Sequence, residues 1–178
     1  KCEPEIAGRK IAMGGLTLSL LFLAAAPGDW LVYRRLLSEE ARQFSSQWIQ
    51  YLAQDEPHKA FQLTLSPGIR QPLSDNLWAY YRNNPKVRER FEAYVESSPV
   101  RTLLALGPRA QVRFYQTANQ AQTSQGDVVA QWYAVTYEET NEKTTFFILI
   151  NLLRSKLKDG RAGWEVMGAK GGDHPEGW

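Results

Sequence analysis

The chain has 178 residues, room for one ordinary domain and an appendage. Apolar residues make up 43% and charged residues 22%, which excludes a disordered chain, and 12% aromatic residues supply the bulk for a core. The 21 basic and 19 acidic residues are interspersed, which excludes the basic footprint of a nucleic-acid binder, and the single cysteine, Cys2, excludes an internal disulfide framework or a Cys-rich zinc site.

Residues 11–26 carry no charge. As a helix, sixteen residues rise about 24 Å, short of a hydrocarbon core of about 30 Å, and extension to Tyr33 makes up the difference. Asp29 then falls near an interface, with Trp30 and Tyr33 as an aromatic belt and Arg34 and Arg35 at the lipid headgroups. The stretch predicts a single N-terminal membrane anchor carrying Leu16, Leu20, Phe22, Trp30 and Tyr33. Two other readings stay open: an export signal, with Arg9 and Lys10 before the apolar run and Ala24, Ala25 and Ala26 as a cleavage site, and a buried soluble helix. Basic residues flank the span equally, so orientation rests on the short N-terminal flank, which predicts a single-pass protein with its C-terminal domain extracytoplasmic.

Ser38, followed by Glu39 and Glu40, reads as a helix start, after which Ala41, Phe44, Trp48, Tyr51 and Leu52 recur at helical spacing. Asp55, Glu56 and Pro57 break that helix and open a short one carrying Ala60, Phe61 and Leu65, ended by Pro67 and Gly68. A third helical region begins near Ser74, restarts at Asn84 and Pro85, and turns Val87, Phe91, Tyr94 and Val95 inward. Lys86, Arg88 and Arg90 alternate with Glu89, Glu92 and Glu96 as a solvated face. After Gly107 and Pro108 the texture becomes extended: QVRFYQT, a turn at 124–127, DVVAQWYAVTY, then TTFFILINLL, apolar on both faces like a central strand, a turn at Asp159 and Gly160, and GWEVMGAK. Helices first and antiparallel strands second predict an α+β fold. The organisation expected is 1–36 for flank and anchor, 37–171 for the domain and 172–178 for a flexible tail.

The run LLALGPRAQVRFYQ, the long strand QWYAVTYEET, then TTFFILINLL, a turn and GWEVMGA resemble the nuclear transport factor 2-like, or cystatin-like, superfamily over about 38–171. The Leu106 and Gly107 turn after a long helix and the Gly163, Trp164, Glu165, Val166 strand carry the likeness. It implies a cone-like domain of about three helices packed on a curved antiparallel sheet of about four strands. Because that fold hosts enzymes and inert scaffolds alike, it implies little about activity. Asn84 and Pro85 fall where similar type IV secretion inner-membrane scaffolds carry an Asn-Pro motif, in a different local context.

Enzymes of that superfamily resembling ketosteroid isomerases use a carboxylate base inside the cone. Here Glu138, Glu139 and Glu142 cluster at a hairpin end, and Asp127 and Asp159 fall in turns. His58 and His174 are the only histidines, too few for a metal site or a triad, and no phosphate-cradling loop occurs, so no cofactor or metal is expected. Trp78, Tyr81, Trp132 and Asn151 are the candidates for lining a cavity. The expected function is a membrane-anchored, non-catalytic binding or scaffolding domain, with the membrane bound through the N-terminal helix, an envelope protein or a second copy bound through the sheet face, and no nucleic acid. The alternative is a small-molecule-binding or isomerase-like enzyme using the cone cavity.

Overall fold

Prolines and turn glycines punctuate the chain where the elements change. The computed structural model describes residues 5–139, 142–157 and 159–172, with side chains from residue 29 onward. Among these, the helices are α1 (Glu5–Ala53), α2 (Pro57–Gln62), α3 (Leu77–Asn83), α4 (Pro85–Glu96) and α5 (Val100–Leu106). The strands are β1 (Gln111–Gln122), β2 (Asp127–Glu139), β3 (Glu142–Lys156) and β4 (Ala162–Gly172). They form one antiparallel sheet in the order β1-β2-β3-β4, so the fold is α+β.

Two compact units divide the chain, Lys1–Leu37 and Ser38–Trp178. The first is helical from Glu5; its Trp30, Leu31, Val32, Tyr33 and Leu36 are 42–60% exposed, and the Arg34 guanidinium lies 4.7 Å over the Trp30 ring. Among the described residues no helix is long and apolar enough to cross a membrane. Most of the expected anchor, with Leu16, Leu20 and Phe22, lies outside the described side chains.

Ser38 does not start a helix. α1 runs through it, because residues 29–37 hold neither glycine nor proline and nothing there breaks the turn-to-turn ladder. The Ser38 hydroxyl instead pairs with Thr117 Oγ1 at 2.6 Å. From there Ala41, Ser45, Trp48 and Leu52, all 0–1% exposed, form a stripe that packs on one face of the sheet. The facing residues are Val129, Gln131, Tyr133 and Val135 of β2, Ile148, Ile150 and Leu152 of β3, and Val166 of β4, none more than 2% exposed. This is the period-2 alternation of a half-covered sheet. Fully burying one such side chain stabilises the fold by about 1.5–3 kcal/mol.

Polar pins fix the register of helix on sheet. Ser45 Oγ donates to Ala41 O at 2.8 Å and meets the Tyr133 hydroxyl, while Gln131 Nε2 donates to Ser38 O at 2.9 Å. Arg154 of β3 reaches Glu40 at 3.2 Å. The buried Ser45 and Gln131 thereby keep partners that water would otherwise supply.

The expected helical half is more divided than its periodicity implied. α2 ends at Gln62, so Leu65 lies beyond it, and the long helix expected before Gly107 stops at Glu96, with α5 starting after Pro99, whose bond to Ser98 is cis. Proline removes the donor a continuing helix needs, which makes five helices where about three were expected. Phe61, Leu77, Tyr81 and Phe91 form the core of this half, with Leu65, Tyr80, Val87, Tyr94 and Val95 around them. The sheet is closed by the β1–β2 hairpin, where Gly126 holds φ +145° with Arg154 O only 2.1 Å from where a Cβ would stand. At the other end Gly171 and Gly172 belong to β4, so the strand runs into the expected tail; residues 173–178, with His174, lie outside the described residues.

Candidate functional site: the outer face of the sheet

The four cavity candidates fall into two separate places. Trp78 and Tyr81 sit on α3, whereas Trp132 and Asn151 share the sheet face opposite α1.

Tyr81 is a core residue, 2% exposed. Its ring stacks on Phe91 with centroids 4.7 Å apart, its hydroxyl donates to His58 O at 2.7 Å, and it accepts from Gln62 Nε2 at 2.8 Å. Gln62, 0% exposed, takes Gln71 N on its Oε1 at 2.8 Å, so this network ties α2, α3 and the following loop together. Burial pushes the Tyr81 phenol up to about 12, against the opposing bond from Gln62. Trp78 is 44% exposed and lies 4.7 Å from the His58 ring. His58 is 5% exposed, and neither ring nitrogen has a partner among the described residues. Burial, helped by the neighbouring Lys59 cation, lowers its pKa against Glu56, Asp75 and Asp55. These residues pack the helical half around Phe61 and Phe91.

Trp48, Leu52, Tyr133, Ile148, Ile150 and Leu152 are buried between helices and sheet. The buried polar residues of the described chain are Ser45, His58, Gln62 and Gln131, and the half-buried Glu165 of β4 has its Oε2 shielded from water with no hydrogen-bond partner among the described residues. Glu138, Glu139 and Glu142 are exposed at the β2–β3 hairpin. Asp159 is held below the usual carboxylate range by its bond with Arg161, an exposed turn pair. Among the described residues no His, Cys, Asp and Glu group could hold a metal.

The outer sheet face is different. Gln116, Trp132, Leu149 and Lys170 are successive cross-strand partners, so they form one row across β1, β2, β3 and β4. Around this row lies a groove of about 470 Å³ lined by strand residues alone, including Ala118, Gly171 and Gly172. Gly172 lets the Trp132 ring lie against β4: a Cβ there would stand 2.9 Å from the ring. The ring is only 7% exposed, and Leu149 is half-buried beside it. Asn151 occupies the next row, between Ala130 and Gly168, at a β-bulge where Leu152 pairs with Val166 and Met167 is skipped. The groove is apolar at its centre and polar at its two ends, with Gln116 and Lys170 there, the make-up of a protein-docking patch.

Sequence reading singled out Trp132 but missed Leu149, Lys170 and Gly172. The signal was present in the alternation: once Ile148 and Ile150 face the helices, Leu149 must face away. No protein-family model, curated protein or solved structure matches this chain.

Proposed function

We propose that the chain is a membrane-tethered, non-catalytic binding domain, and that the outer face of its sheet, centred on Trp132, docks a protein partner on the extracytoplasmic side. In this reading residues 38–172 are a nuclear transport factor 2-like domain and the helix over 11–33 is its tether. One observation carries it: on the helix-free face, strand residues alone line an open groove around Trp132 and Leu149. An isomerase-like enzyme would need a desolvated carboxylate in a pocket; Glu165 Oε2 is shielded from water without a hydrogen-bond partner among the described residues, but Glu165 does not line the Trp132 groove. The apolarity of 11–26, with the extension to Tyr33 that gives it spanning length, supports the tether.

Carbonate extraction of the full chain with protease protection tests the reading. Retention in the membrane with the domain reached by protease from the outer side agrees with it, and Leu21→Arg then releases the chain. Recovery of the unsubstituted chain in the soluble fraction refutes the tether.

A further inference from the structure

An open sheet carries two edges, and the two edges here are built differently. β1 is broken by two register shifts, between Phe114 and Gln116 and between Thr117 and Asn119, which spoil it as a template for another strand. β4 is closed along its first half only. There the Arg70 guanidinium binds Trp164 O, and Val166 N donates to Leu63 O at 2.9 Å. From Met167 to Gly172 no backbone group bonds to a residue outside the sheet among the described residues. A groove of about 530 Å³ runs along this open part, with Trp48 and Tyr94 lining it and Arg90, Ser97 and Ser98 beside them.

The glycines say what the open edge is for. Gly168 stands at the β-bulge opposite Asn151, which suits a glycine, whereas Gly171 has no left-handed φ and a Cβ there would meet nothing within 4 Å, so nothing in this chain's own packing requires glycine at 171. Glycine weakens a strand, and in a strand it marks a place where a second backbone comes close. Gly172, by contrast, is explained within the chain by Trp132.

Charge narrows the occupant. On and next to α4, Arg88 pairs with Glu92 and Arg101 with Glu96, each at 3.6 Å, whereas Arg90 lines the groove with no carboxylate within 4 Å among the described residues. A second copy would bring another Arg90 toward this groove, so the charge favours a different chain.

We propose that the edge of β4 from Gly168 to Gly171 receives an extended, carboxylate-bearing segment of a partner polypeptide as a fifth strand, with Arg90 as its anion contact. Main-chain bonds give the affinity in such strand addition, and the cation selects the acidic sequence. This rests on the binding reading only in supposing a polypeptide partner, and its test leaves the Trp132 groove untouched.

The probe is a labelled ten-residue peptide of alternating valine and threonine with one central glutamate, titrated into the full chain in detergent by fluorescence anisotropy. The peptide binds; replacing its glutamate by glutamine weakens binding about fivefold, and Arg90→Gln abolishes that difference. N-methylation of alternate peptide amides, which removes ladder donors, abolishes binding. Gly168→Val weakens binding at least about tenfold with an unchanged or raised thermal midpoint. The N-methylated peptide and Arg90→Gln keep the test decisive if Gly168→Val fails to fold. Equal binding by the N-methylated peptide, or by a folded glycine variant, overturns the proposal. So does concentration-dependent protection of the 168–172 amides from hydrogen exchange without peptide, which would make the occupant a second copy.

Discussion

Tyr81→Phe separates a core hydroxyl from a cavity hydroxyl. The substitution keeps the ring, and with it the 4.7 Å stack on Phe91 and the edge contact with Phe61 at 5.8 Å, and removes one oxygen. That oxygen serves two buried groups, His58 O at 2.7 Å and Gln62 Nε2 at 2.8 Å. A buried group left without its partner costs about 1–3 kcal/mol, and the relief of no longer burying the phenol offsets part of the sum, so the loss is about 2–4 kcal/mol. At this size about 3 °C accompanies each kcal/mol, which predicts a thermal midpoint lower by about 6–12 °C. Urea unfolding followed by tryptophan fluorescence reads the loss directly, with an unchanged slope as the sign that only stability moved. A loss below about 0.5 kcal/mol would refute the placement of this hydroxyl in a closed network and return Tyr81 to the list of ligand-facing residues.

Three further outcomes follow from the same structure. Because the folded pKa of His58 lies below the 6.5 of the unfolded chain, the unfolded state takes up the proton first. Stability is therefore complete above pH 6.5 and falls as pH drops below it, by at most about 1.4 kcal/mol per pH unit until the folded pKa is passed; His58→Leu flattens that limb in urea titrations at pH 7 and pH 5. At the alkaline end the sign reverses: Tyr81, raised to about 12, holds its proton longer folded than unfolded, as do Tyr94 and Tyr133 in the same direction, so stability is lost as pH rises through 10. Tyr81→Phe reduces that loss, and a variant with the parent's full alkaline slope would contradict the assignment. At the hairpin, Gly126→Ala drives a Cβ into Arg154 O and costs about 3 kcal/mol or more, whereas Gly160→Ala, at φ +82° with nothing within 4 Å, costs about 1–2 kcal/mol; equal midpoints for the two variants would show that the backbone wall is not there.

The sheet was legible in the sequence because its signals are local. Alternating Val129, Gln131, Tyr133 and Val135 announce a strand whatever the helices do, and the turns at 124–127 and 159–160 carry glycine where the chain reverses. The helical half was legible in its punctuation at Pro57 and Pro85 and misread elsewhere. Ser38 has the composition of a cap, but a cap forms only where the preceding residues leave the helix, and the residues before it are good helix formers. The candidate site was half legible. Trp132 stands out by size, but its partners are defined by register across four strands, and no single strand's sequence states which residue of its neighbour stands opposite. Gly172 beside the indole, Gly168 at the bulge and the unforced Gly171 acquire meaning only when the register and the space around each are known.

Cysteine labelling on membranes tests the central claim most directly. Leu149→Cys places a thiol in the outer groove and Arg88→Cys places one on the solvated side of α4, each with Cys2 replaced by serine, and maleimide reactivity is compared in native membranes and after purification in detergent. The expected result is that the sedimented membrane fraction contains the protein, that position 149 is protected there and reacts after purification, and that position 88 reacts equally in both. Equal reactivity of position 149 in both states, or protein found only in the supernatant, would contradict a tethered domain that docks its partner on the outer face of the sheet.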